Sequence, residues 1–284
     1  MANLKSIKSK IVSYKKTGTV THAMEAVSAV KMRKSQERAL SGRAYAAAAL
    51  SVLQRLSGTV DAGRHPLMQS QPGKTCFIII TSDKGLAGSL NSAVIRETER
   101  EIERRGLAKS NVVMVAVGRR GGDYFASRGY EVRKRHENVG DGVSEADVRK
   151  ITDNVLEWHG NGEIGTCIIA YQNFLSTFEQ EASVRQIVPI TTEMVAEMVK
   201  RIRPVKGKYA PTSTEVSESK PASYTIEPDA DEVLTVLLPR LVNIAIFHAM
   251  LESKASEHSA RMVAMKNATD KAKEMAHELT RTFN

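Results

Sequence analysis

Ser82-Asp83-Lys84-Gly85-Leu86-Ala87-Gly88-Ser89 follows the apolar run Cys76-Phe77-Ile78-Ile79-Ile80 and leads into a helix-like stretch. That is the strand, glycine turn, helix order in which backbone N–H groups at a helix start bind phosphate. The spacing departs from both known fingerprints. The turn lacks G-x-x-x-x-G-K-[ST], and Gly118-Arg119-Arg120-Gly121-Gly122 is not G-x-G-x-x-G. It therefore reads as glycines that let a strand bend tightly into a helix. His248 and His258 stand ten residues apart, nearly three helical turns, too far to share a metal, so they read as packed histidines. Cys76 and Cys167 each lie in an apolar run and read as buried strand thiols in a reducing compartment. No paired carboxylates, Ser/His/Asp set or Cys/His set stands at a useful spacing. The sequence gives no positive sign of catalysis, and no cofactor or metal is expected.

The other chemistry-bearing residues are cations: Lys5, Lys8, Lys10, Lys15, Lys16, Lys31, Arg33, Lys34, Arg38, Arg43 and Arg55. The first 57 residues hold 11 Lys and Arg against two acidic residues, a surplus equal to the whole chain's net charge of +9. A solvated face, nucleic acid or an extended acidic protein surface each suits such a run. The spread of the cations and the shortage of interleaved aromatics count against nucleic acid.

The elements that must carry these residues follow from periodicity. Leu4, Ile7, Ile11 and Tyr14 step by three and four; Val20, Ala23, Val27 and Val30 resume in a shifted phase, and Tyr45, Ala49, Val52 and Leu56 continue. This predicts one helix of some 55 residues with a phase shift near Gly18. Leu241, Ile244, His248, Leu251, Ala255, His258, Met262, Met265, Thr269, Ala272, Ala276 and Leu279 form an a/d seam. Its helix begins near Glu227-Pro228-Asp229 and is expected to bend at Pro239. The two seams are expected to pair as a long antiparallel coiled coil with the chain termini together.

Between them, apolar strands near 75–81, 111–117, 165–171 and 182–189 alternate with helices near 88–105, 120–128, 144–159 and 191–202, a Rossmann-like α/β pattern. The expected division is a coiled-coil helix over 1–58, the α/β domain over 72–202, a linker over 203–226 and a second coiled-coil helix over 227–284. No apolar run approaches the length of a membrane span, so no direct membrane insertion is expected.

The two ends carry a resemblance. Met1-Ala2-Asn3-Leu4-Lys5-Ser6-Ile7-Lys8 with Thr21-His22-Ala23-Met24-Glu25-Ala26-Val27-Ser28-Ala29-Val30-Lys31-Met32-Arg33-Lys34 resembles the N-terminal signature of the gamma subunit of F-type ATP synthases. Ser256-Glu257-His258-Ser259-Ala260-Arg261-Met262-Val263-Ala264-Met265-Lys266-Asn267-Ala268-Thr269-Asp270 is similar to its C-terminal signature, and the glycine turn to a third.

The resemblance implies a non-catalytic central-stalk rotor. Its coiled coil would turn inside a ring of alternating alpha and beta subunits, coupling ion-driven rotation to ATP synthesis and hydrolysis on beta. It implies that Met24, Lys31, Arg33, Lys84, Gly85, Leu86, Gly88, Arg261 and Met265 contact beta, and that Tyr224, Ile226 and Glu227 meet the epsilon subunit and the membrane c-ring. No nucleic acid partner is implied.

Glu25 stands where the family often has a basic residue, Ala87 where it often has Cys, and the sequence stops at Asn284, several helical turns earlier than usual for the family, as either a shortened piece or a naturally short axle would. The lack of a transit peptide and of a thiol-containing insert suggests a bacterial protein at the cytoplasmic face of the plasma membrane. Replacing Lys31 and Arg33 together by Ala is expected to weaken coupling; undiminished ATP-driven proton pumping would count against those contacts.

Overall fold

The computed structural model describes residues 2–41, 65–191, 194 and 229–283. The elements are α1 (Ala2–Ser41), β1 (Lys74–Ile80), α2 (Leu90–Arg104), β2 (Val112–Val117), α3 (Arg119–Ser127), β3 (Glu131–His136), α4 (Glu145–Gly160), β4 (Ile164–Phe174), β5 (Gln180–Val188) and α5 (Ala230–Phe283). The expected helix over 191–202, the linker over 203–226 and the continuation of the first helix over 42–58 lie outside the described residues, apart from residues 191 and 194.

The sheet has the order β3-β2-β1-β4-β5, with β5 alone antiparallel to its neighbour. Side chains alternate between its two faces. Cys76, Ile78, Ile80, Val115, Cys167 and Ile169 point to one core, shared with α4 and α5. Phe77, Ile79, Met114, Ala116, Ile168 and Ala170 point to the other, under α2 and α3. Burial on both faces is why the central strands read as unbroken apolar runs. Cys76 and Cys167 are register partners on adjacent strands, and burial, with the neighbouring thiol, pushes Cys167 well above the ordinary thiol range. Cys167 therefore stays a neutral thiol, and both cysteines are buried core residues.

Strand β3 escaped the sequence reading because Glu-Val-Arg-Lys-Arg-His carries one apolar residue. Among the described residues it is an edge strand, paired only to β2, and needs little apolar burial. The break in strand and helix alternation between 120–128 and 144–159 was the signal that a strand stood there.

Helix α5 runs unbroken through Pro239. It contains an 18-residue stretch apolar enough by composition to cross a membrane, which the sequence reading did not find, and 44% of that stretch is buried within the chain. Leu234, Leu238, Leu241, Val242 and Ile246 pack into the sheet core. Farther along, α5 pairs with α1 in antiparallel register: Thr21 Oγ1 meets Thr269 Oγ1 at 2.6 Å, and Gly18 faces Ala272. The two chain ends therefore share one end of the rod.

The α1 seam differs from the expected one. Ile7, Ile11, Tyr14, Gly18, Thr21, Glu25, Ser28, Met32 and Ser35 face α5 in uninterrupted steps of four and three, each buried or half-buried, so no phase shift occurs at Gly18. Val20, Val27 and Val30, expected on the seam, point outward and stay more than half exposed. Small residues won the seam because they let the helices approach closely, and Thr21 satisfies its hydroxyl across it.

At Gly18 a Cβ would sit 3.7 Å from that of Ala272, an ordinary contact distance. Gly18→Ala should therefore raise stability by up to about 1 kcal/mol through helix propensity. Gly18→Leu should lower it by roughly 1–3 kcal/mol through overpacking. Urea unfolding measures both, and a Leu variant as stable as the parent would mean the seam is open there.

Candidate functional site

The glycine turn after β1 is closed by its own side chains. Ser82 N–H donates to Asn91 Oδ1 at 2.9 Å, Asn91 Nδ2 donates to Ser82 Oγ at 2.8 Å, and Ser82 Oγ donates to the Lys84 carbonyl. Leu86 and Gly88 take positive φ values of 62° and 56°, which throws the Leu86 side chain into solvent. At the start of α3, where an anion is favoured, the chain supplies its own: Asp83 accepts the N–H groups of Arg119 at 3.1 Å and Asn138 at 3.0 Å. Gly118 is required there, because a Cβ would run into the Thr81 carbonyl.

Doubly wound folds bind ligands at the switch point, here between the C-terminal ends of β1 and β4. In this chain α5 crosses that point. Ser253 Oγ accepts from Gln172 N–H at 3.1 Å, and Ser256 Oγ donates to the Gln172 carbonyl at 3.3 Å. The space left between Thr81, Asp83, Gly118, Ser253 and Glu257 is about 10 Å³, room for one water. Among the described residues no cluster of three or more His, Cys, Asp or Glu is arranged to hold a metal.

The sequence-derived contact residues divide into two groups. Lys84, Leu86, Gly88 and Arg33 are exposed and Met24 is half-buried. The others hold the molecule to itself. Arg261, 11% exposed at its side chain, pairs with Glu257 at 2.8 Å and donates to the Gly85 carbonyl at 3.4 Å, so the turn grips α5. Met265 is buried in the seam, and Lys31 Nζ lies 2.8 Å from an Asp141 carboxylate oxygen. Tyr224, Ile226 and Glu227 lie outside the described residues.

Sequence reasoning missed two features. Asp141 also bonds His258 Nε2 at 2.8 Å, and its only advance signal was the turn composition Gly140-Asp141-Gly142. The β4–β5 hairpin grips α5 on another side: Ser259 Oγ donates to the Thr177 carbonyl, and Gln180 braces the same tip. That tip exposes Leu175 and Phe178.

At this collar and beyond it, the outer surface of α1 is patterned. Val12, Val20, Val27 and Val30 lie 47–58% exposed along α1, flanked by the exposed Lys15, Lys16, Arg33 and Lys34. The arrangement offers an extended apolar and cationic surface.

The family model described as ATP synthase matches residues 3–284. The ATP synthase gamma chain of Pelotomaculum thermopropionicum is 35% identical over 100% of this chain and 92% of its own length. That of Dehalococcoides mccartyi is 37% identical with the same coverage. Among solved structures, a chain of the Tetrahymena thermophila mitochondrial ATP synthase central stalk and c-ring matches with a TM-score of 0.63 at 22% identity, covering 88% of this chain and 99% of that one. A chain of the Euglena gracilis mitochondrial ATP synthase rotor matches with a TM-score of 0.61 at 14% identity, covering 100% and 96%.

Two imidazoles, His258 buried and His136 half-buried, give the chain a pH dependence. Burial pushes His258 below the ordinary range, outweighing the upward pull of Asp141 and Glu257. Burial likewise lowers His136, helped by the Lys150 charge. As pH falls below about 6.5, the unfolded chain binds protons that these folded imidazoles refuse, so stability falls with pH in that range. The urea midpoint should be lower at pH 5.5 than at 7.5, and replacing both histidines by Gln should flatten the difference. A midpoint that rises on acidification would contradict this assignment.

Proposed function

The chain belongs to the ATP synthase gamma-chain family, and from that premise we propose that it is the central-stalk rotor of an F-type ATP synthase. The rod of α1 and α5 turns inside a ring of alternating alpha and beta subunits, whose sites carry out ATP synthesis and hydrolysis. This chain has no catalytic role of its own. The epsilon subunit and the membrane c-ring bind at the foot, with Tyr224, Ile226 and Glu227 as the proposed contacts. The complex works at the cytoplasmic face of a bacterial plasma membrane and couples ion transport to ATP chemistry.

One observation carries this reading most directly. The two helices leave the α/β domain as a bare rod whose outer surface is unevenly apolar and cationic along α1. A rod with one distinctive side presents a different surface to each subunit around it as it turns. Differential contact is the only way such a rod can shift nucleotide affinity from one beta subunit to the next. Met24, Arg33, Lys84, Leu86 and Gly88 remain available for those contacts, whereas Lys31, Gly85 and Arg261 are engaged with partners within the chain and Met265 is buried in the seam.

Co-expression with alpha and beta subunits should give a complex that hydrolyses ATP and retains this chain through size exclusion. Failure to join such a ring, together with steep salt-dependent binding to DNA, would favour a basic nucleic-acid scaffold instead. Saturable nucleotide binding by the isolated chain would favour an enzyme built on the α/β domain.

A further inference from the structure

Helix α5 is anchored to the α/β domain on several sides: its apolar first half enters the sheet core, Ser253 and Ser256 bond β4, Ser259 bonds the hairpin tip and Arg261 bonds the glycine turn. Helix α1 is anchored differently. Among the described residues it packs extensively on α5 and on no strand or helix of the α/β domain to a comparable extent. The loop between β3 and α4 makes the connection. Asp141 gives one carboxylate oxygen to Lys31 of α1 and the other to His258 of α5, each at 2.8 Å. Next to it, Gly142 lies so close to Arg38 of α1 that a Cβ would overlap the guanidinium. Asn138 and Val143 both take positive φ, at 57° and 41°, which fixes the course of the loop between them.

We infer that Asp141 is a positioning residue for rotary coupling: a single carboxylate that fastens both helices of the rod to the α/β domain at one level. The inference rests on the rotor reading above. Its physical basis is the asymmetry of the two anchors. The α1 seam is built largely from Gly18, Thr21, Glu25, Ser28 and Ser35, so it buries little apolar area and resists rolling of α1 over α5 only weakly. An exposed ion pair adds little stability by itself. Here its second oxygen is held by His258, whose side chain is 4% exposed, so the carboxylate meets Lys31 from a fixed position. A load applied to the domain then reaches α1 directly as well as through the seam.

The test uses the complete complex in proteoliposomes, reading ATP hydrolysis and ATP-driven proton pumping together. D141A should keep hydrolysis near the parent rate while protons pumped per ATP fall roughly two- to fivefold. K31A should lower the same ratio, and the double variant should be no worse than D141A alone, because D141A already removes the contact that K31A removes. The charge swap K31D/D141K should recover much of the ratio. An unchanged ratio in D141A, additive losses in the double variant, or a swap that recovers nothing would overturn the inference. If D141A does not assemble, D141N and the swap decide by the same ratio. A parent chain that joins no ATP-hydrolysing ring would sink the rotor reading itself, whereas a coupled parent with an equally coupled D141A sinks only the role of Asp141.

Discussion

The structure depends on the first half of α5 packing into the sheet core and then crossing the C-terminal ends of β1 and β4. Leu238, Leu241, Val242 and Ile246 are fully buried in that core, and each contributes on the order of 1.5–3 kcal/mol by leaving water. The same helix then continues as half of the rod. Because one rigid helix is both core element and shaft, the direction of the shaft is fixed by the packing of the sheet, and no separate joint is needed. The placement also fills the switch point at which a doubly wound domain would otherwise receive a nucleotide.

The rod follows a different physical rule from the domain. A coiled coil usually seats its larger apolar residues on the seam. Here α1 gives the seam mainly small and polar residues and turns its valines outward. Close approach at Gly18 and a cross-helix hydroxyl pair at Thr21 and Thr269 replace interlocking apolar side chains. A thin seam keeps the rod narrow and leaves apolar surface for whatever surrounds it. It also makes attachment to the domain more important, since the helices hold each other less firmly.

The charges near the collar are used inside the chain. Asp83 occupies the N-terminal end of α3, Glu257 holds Arg261 against the glycine turn, and Asp141 joins Lys31 to His258. A glycine turn with the outline of a phosphate cradle thus becomes a bracket on a helix. The exposed cations along α1 are what remains for an external partner.

By itself the sequence determined the secondary structure types, the pairing of the two ends and the family. Those depend on local period and on the terminal motifs, which are legible along the chain. The failed glycine spacing likewise excluded a nucleotide fingerprint before any fold was known. Strand β3 was not legible, because an edge strand is specified by backbone pairing and not by an apolar pattern. Nor was the true seam of α1: period alone places residues on a face but does not say which face meets the partner, and Gly18, Thr21 and Ser28 do not look like contacts until α5 lies against them. Only the tertiary structure decided that Lys31, Arg261 and Met265 have partners within the chain, since Asp141, Gly85 and the seam are brought to them by folding over separations that no local pattern encodes.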